Sequence, residues 1–226
     1  MDSDGSTPVA PPRRRFDPRL LLALIAILAI AGGVAVLADG GQGNQRPCNV
    51  KSVPSGSFRG SVADPATCAP PLQLRNYLGQ TINVKQYLGK AVLVTFLYTN
   101  CPDVCPLITA NLHAAQGMMG PAESAKARIV AVSVDPRGDT PKAVAAFLAR
   151  HKMTGHMQYL IGSASELAHV WANWNVGSEQ DAQQPQLVNH SGLVYGISAS
   201  GKITTLYPAN FTPSDIAHDV PLLLSQ

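Results

Sequence analysis

The chain has 226 residues, a formal net charge of +3 and only 6% aromatic residues. That length suits one well-sized domain with an extension. The mild charge, with no Lys/Arg stripe, excludes the usual kind of nucleic-acid-binding surface, and four cysteines are too few for a disulfide scaffold.

Residues 1–12 are polar and Pro-rich and read as disordered. Arg13, Arg14, Arg15 and Arg19 then lead into residues 20–38, a stretch without a charge. At about 1.5 Å per residue this stretch reaches roughly 28 Å, one bilayer core. The arginines precede it, so Met1 is expected in the cytoplasm and the rest outside. The expected layout is a short cytoplasmic tail (1–19) and a single-pass transmembrane helix (20–38) in the cell membrane. A signal peptide cleaved after Ala38 is the alternative, although its apolar core would be longer than usual. Either way the main domain is exported. Residues 39–69 are rich in Gly, Ser and Pro and read as a flexible linker. They hold Cys48 and Cys68. In an oxidising compartment these two can pair and close a loop of about 20 residues, worth about 3 kcal/mol in the chain-entropy view. Free thiols or an auxiliary redox pair are the other options.

Regular signals begin near residue 70, and residues 70–226 are expected to form the domain. Residues 72–75 and 81–84 read as short strands around the turn at Leu78-Gly79. Residues 91–98 are continuously apolar, as befits a strand buried on both faces. Cys101-Pro102-Asp103-Val104-Cys105-Pro106 follows, and then Ile108, Leu112, Ala115 and Met119 recur at helical spacing. Residues 128–134 predict a second buried strand. Thr140 as N-cap with Pro141 in the first position predicts a helix reaching about His151. Residues 157–161 predict a short strand, and the capping box Ser163–Glu166 opens a helix through Trp174. Residues 193–198 and 203–207 flank a hairpin turn. A last helix starts at Thr212-Pro213 and should kink or end at Pro221. The order strand, Cys helix, strand, helix, strand, helix, hairpin, helix implies an α/β fold. Its mixed central sheet carries helices on both faces, which is the thioredoxin-like arrangement.

Two thiols therefore sit where a buried strand hands over to a helix. With Pro102 in the first helical position, the helix would start there, and its free N–H groups and positive dipole end would favour thiolate. Cys101 and Cys105 are one turn apart, so their sulfurs can close a disulfide or share a soft metal ion. A structural disulfide or two inert core thiols is the plain alternative. Of six histidines, His113, His151, His156, His169 and His218 are assigned to surface or satisfied-core roles. His190 stands just before the hairpin, in a loop that a thioredoxin-like sheet places beside the dithiol. Cys, Cys and His form a soft set open to Cu(I), Zn or iron–sulfur chemistry. Three ligands with an open fourth position suit a transferable copper ion better than a closed structural zinc.

Residues 96–106, Phe-Leu-Tyr-Thr-Asn-Cys-Pro-Asp-Val-Cys-Pro, resemble the signature of the Sco/SenC family of copper-handling, thioredoxin-like proteins. Val132-Ser133-Val134-Asp135-Pro136 with Asp139-Thr140-Pro141 resembles its second motif, and His190-Ser191-Gly192 its third. The resemblance implies copper, as Cu(I) or Cu(II), bound by Cys101, Cys105 and His190. It also implies assembly of the dinuclear copper centre of cytochrome c oxidase subunit II, with other copper carriers as further partners. The family is believed to deliver copper, to reduce the target's cysteines, or both. A thiol–disulfide oxidoreductase acting through Cys101 and Cys105 without metal is thus the competing reading. Two positions depart from the family. Asn189 stands where it often has Asp. Gly138 stands where it commonly has Arg, so Asp135 and Asp139 carry over only as structural or docking residues, explained by turn and N-cap chemistry.

Overall fold

The structure, a computed structural model, describes residue 48, residues 58–180 and residues 188–226. They fall in the unit spanning residues 47–226. The expected tail (1–19) and anchor (20–38) lie outside them. Among the described residues no helix is long and apolar enough to cross a membrane.

In chain order the elements are β1 (Ser61–Cys68), β2 (Gln73–Asn76), β3 (Thr81–Asn83), a 3-10 turn (Val84–Tyr87), β4 (Ala91–Leu97), α1 (Val104–Met118) and α2 (Pro121–Lys126). Then come β5 (Ala127–Ser133), α3 (Pro141–Arg150), β6 (Met157–Ile161), α4 (Ala164–Asn173), β7 (Ser178–Gln180) and β8 (Val188–His190). The hairpin β9 (Leu193–Ile197) and β10 (Lys202–Pro208) and the helix α5 (Pro213–Leu224) complete the order. Eight strands form one mixed sheet in the order β1-β10-β9-β4-β5-β6-β2-β3, and β7 and β8 form a separate ribbon. β4, β5 and β6 run parallel; every other pairing in the sheet is antiparallel.

β4 is the axis of the sheet. All seven of its residues are buried, as the absence of alternation in its sequence requires when helices cover both faces. The register assigns those faces. Thr95, Ala131 and Tyr159 lie side by side across β4, β5 and β6, and Tyr159 packs edge-on against Phe147 of α3. Phe96, one residue on, points the other way and meets Trp174 at the end of α4, 5.9 Å between ring centres. α1 packs against α5, and α5 against β4. Helices thus cover both faces, as the thioredoxin-like pattern predicts.

The sheet starts earlier than expected. Residues 61–68, assigned to the flexible linker, form β1, which pairs with β10 at the sheet edge. Only Ala66 of that strand is buried, so it lacks the apolar signal that strand reading depends on. Its outer end is fastened by a disulfide between Cys48 and Cys68, with Cα atoms 5.8 Å apart. Its inner end follows Arg59 and Gly60, whose amides both donate to the buried Asp219 carboxylate at 2.9–3.0 Å. Pro221 does not end α5, which continues to Leu224. A proline so near the C-terminus removes a single N–H, and fully buried Leu223 holds the last turn against the sheet.

Candidate metal and dithiol site

The site grows from the C-terminal end of β4. Cys101 lies in the loop between β4 and α1, and Cys105 in the first turn of α1. The helix begins two residues later than Pro102 suggests. Asp103 is the N-cap, its Oδ1 accepting the Val104 N–H at 2.6 Å. Aspartate is a strong N-cap, and Pro102 drives the residue before it towards extended backbone. The two thiols therefore do not share a helical face. They meet because the Cys105 N–H, one of the unpaired amides of the first turn, donates to Cys101 Sγ at 3.2 Å.

This geometry makes the two sulfurs unlike. The Cys105 thiol donates to Cys101, and the Cys105 and Asp103 amides and the Tyr98 hydroxyl add to it, outweighing burial; Cys101 falls to about 6. Cys105 shifts strongly upward, first because its proton is held against Cys101 and then because it is buried. Cys101 is 9% exposed and Cys105 is not exposed at all. Burial also pushes Tyr98 up to about 12. Both cysteines are free thiols.

His190, the last residue of β8, reaches the dithiol from the far part of the sequence. Its Nε2 stands 4.0 Å from Cys105 Sγ across an 85-residue separation. Its Nδ1 lies 3.1 Å from the Ser191 carbonyl. A carbonyl only accepts, so Nδ1 carries the proton and Nε2 turns its lone pair to the sulfur. Burial lowers the His190 pKa, which keeps the ring neutral near pH 7. Tyr98 packs edge-on against the ring, 5.8 Å between centres. Gly192 brings this strand end close to α1, since a β-carbon there would lie 3.1 Å from Val104 Cγ1 and 3.3 Å from Ala209 Cβ.

A metal bound to thiolate at about 2.3 Å and imidazole at about 2.0 Å spans up to roughly 4.3 Å from sulfur to nitrogen. The observed 4.0 Å fits inside that span, and the soft donors fit copper. The set is not a closed cage: among the described residues no group of three His, Cys, Asp or Glu side chains stands arranged to hold an ion.

Asp135 keeps the turn role expected of it, accepting the Arg137 and Gly138 amides at 3.1 and 2.9 Å. A β-carbon at Gly138 would run into its carboxylate, so glycine suits this turn. Asp139 is not an N-cap; Thr140 is. Asp139 is buried and accepts from the Thr99 amide at 2.8 Å, Ser133 Oγ at 2.6 Å and the Tyr159 hydroxyl at 3.0 Å. It thereby fixes the start of the Cys101 loop. Burial raises its pKa despite those donors. Neither Tyr98 nor Asp139 stands out as a site residue in the sequence; the only cue is their placement in the two motifs.

The comparisons agree with this fold. The chain is 28% identical over 154 residues to the SCO1 protein homolog of Bacillus subtilis, covering 66% of this chain and 79% of that one. It is 25% identical to a human mitochondrial SCO1 homolog, but spans only 50% of that longer protein. The crystal structure of Arabidopsis thaliana ScoI with copper bound superposes with a TM-score of 0.62 at 25% identity, covering 71% of this chain and 99% of that one. BsSco, a member of the Sco family of cytochrome c oxidase assembly proteins in which a disulfide switch has been identified, superposes at 0.60 with 26% identity, covering 73% and 98%. The SCO1/SenC family model matches residues 61–225, from the first residue of β1 to just past the end of α5, and the chain belongs to the SCO1/SenC family.

Proposed function

We propose that this chain is a membrane-anchored, extracytoplasmic copper carrier. It serves assembly of the dinuclear copper centre of cytochrome c oxidase subunit II and holds its cargo through Cys101, Cys105 and His190. One observation carries this reading: a neutral imidazole from 85 residues away turns its unprotonated Nε2 towards Cys105 Sγ at 4.0 Å. The copper in the Arabidopsis relative and the oxidase-assembly family of BsSco support the cargo and its destination. The uncharged stretch 20–38 supports the anchor.

The chain's own groups give an order of events. Cys101, a thiolate above about pH 6, meets incoming Cu(I) first. Cys105 then releases its proton to solvent as it becomes a ligand, and His190 adds Nε2 without losing a proton. Binding draws the three donors together and frees one proton per Cu(I). A fourth position stays open for a ligand from the recipient, which allows handover.

A competitive copper titration of the reduced protein without oxygen tests this. One tightly held equivalent is expected in the wild type, strongly weakened in Cys101→Ala, Cys105→Ala and His190→Ala. Unchanged binding in His190→Ala removes the three-ligand model.

The unequal acidity of the thiols favours a second reading, thiol–disulfide exchange. Cys101 thiolate would attack a target disulfide and form a mixed disulfide, releasing one target thiolate. Cys105 thiolate, its proton passed to that leaving group, would then attack Cys101 Sγ. The second target sulfur leaves as thiolate and takes a proton from water, so the target departs as a dithiol, reduced by two electrons, and a Cys101–Cys105 disulfide remains. Exchange that persists undiminished in His190→Ala, with no copper bound by the wild type, would establish this reading instead.

A further inference from the structure

His113 and His156 come from different elements yet meet in space. His113 lies in the middle of α1 and His156 just before β6, and their rings stand 6.3 Å apart at 74°. His113 Nδ1 is shut off from solvent without a hydrogen-bond partner, and so is Gln116 Oε1. Gln116 follows His113 by three residues on α1, so the two side chains are neighbours on one helix face. A buried polar atom left unpaired costs about 1–3 kcal/mol. Two of them three residues apart on α1, with a second imidazole beside His113, point to a ligand that would pair them.

Gln116 Oε1 can only accept, and an imidazole nitrogen without its proton does the same. A single cation satisfies both at once. We propose that His113, His156 and Gln116 form a second metal site for a borderline divalent ion, Cu(II) or Zn(II). Two imidazole nitrogens with an amide oxygen match that class better than a hard cation, which prefers all-oxygen ligands, or Cu(I), which prefers sulfur. With metal–nitrogen bonds of about 2.0–2.1 Å, rings sharing an ion stand up to roughly 6 Å apart. The observed separation sits at that limit, and a small turn of the exposed His156 side chain closes it.

This site is separate from the dithiol. His113 follows Cys105 by eight residues on α1, about 12 Å along the axis. His156 leads into the start of β6, whereas Cys101 follows the end of the parallel strand β4. The proposal therefore does not depend on copper at Cys101 and Cys105.

The test uses the full chain in detergent with Cys101→Ser and Cys105→Ser, which removes the first site. Zn(II) is titrated against a chromophoric chelator, and Cu(II) is followed by electron paramagnetic resonance. One equivalent is expected, with nitrogen hyperfine structure in the Cu(II) spectrum. Affinity should fall at least tenfold in His113→Ala and in His156→Ala and stay unchanged in His169→Ala. His156 is exposed, so its variant reads out the site even where His113→Ala fails to fold. No bound ion in the dithiol-free chain, or binding that survives His156→Ala, overturns the proposal.

Discussion

At the scale of single residues, the chemistry rests on making two equal cysteines unequal. Cys101 collects the Cys105 thiol proton, two amides and a tyrosine hydroxyl, whereas Cys105 is buried and keeps its proton. The pKa of Cys101 is lowered to about 6, so its thiolate is present above that pH and is lost as pH falls through it. Iodoacetamide labelling followed by mass spectrometry should show Cys101 reacting with a midpoint near pH 6, close to its plateau by about pH 7 and slowed about tenfold at pH 5. Cys105 should stay unlabelled until the protein unfolds. Tyr98→Phe removes one donor to Cys101 and should move that midpoint upward. A midpoint near the ordinary thiol value would contradict the donor arrangement. The dithiol itself was legible from its place between an apolar strand and a helical repeat. Its asymmetry was not, because a helix beginning at Pro102 would put both sulfurs on one turn, and only the Asp103 cap shows that Cys101 stays outside.

At the scale of elements, two contacts hold the site together. Gly192 lets the strand end carrying His190 lie against Val104 and Ala209. Gly192→Val would push that end away from α1. Copper affinity should drop at least tenfold, while the Cys101 labelling midpoint remains near pH 6; an unchanged affinity would show that this approach does not place His190. Asp139 anchors the other side. Asp139→Ala leaves the Thr99 amide and the Ser133 and Tyr159 hydroxyls without their acceptor. Urea denaturation should show a loss of about 3 kcal/mol, from about 1–3 kcal/mol per stranded buried group with partial relaxation. Sequence reasoning found the strands and helices with strong period and strong caps: β4, β5, β6, α3, α4 and the β9–β10 hairpin. It put His190 beside the dithiol only because the fold class does so; nothing local in Asn189-His190-Ser191 reports a cysteine 85 residues back. It missed β1, whose single buried residue carries no period, and β7 and β8, which are three residues each.

At the scale of the whole molecule, β1 is the edge strand that opens the sheet, and it buries little of its own surface. Two cross-links compensate. The Cys48–Cys68 disulfide closes a 20-residue separation at one end, worth about 3 kcal/mol in the chain-entropy view. At the other end Asp219, fully buried on α5, accepts from Arg59 and Gly60 amides and from the Tyr207 hydroxyl, and pairs with His218 Nδ1 at 2.7 Å. Cys48→Ser with Cys68→Ser should lower Tm by about 6–12 °C, taking about 2–4 °C per kcal/mol for a chain of this size. Asp219→Ala should cost a similar amount by leaving the Arg59 and Gly60 amides and the Tyr207 hydroxyl without their acceptor. The two ties hold the same strand, so once one end of β1 frays the other tie restrains less. The combined variant should therefore lose less than the sum, with a coupling of about 0.5–3 kcal/mol in a double-mutant cycle. Copper affinity should remain at the wild-type value throughout, because β10 and β9 separate β1 from β4 and the site. Strict additivity would mean that the two ties stabilise independent parts of the domain. A fall in copper affinity would mean that the edge strand, far from the dithiol, helps to hold it in place.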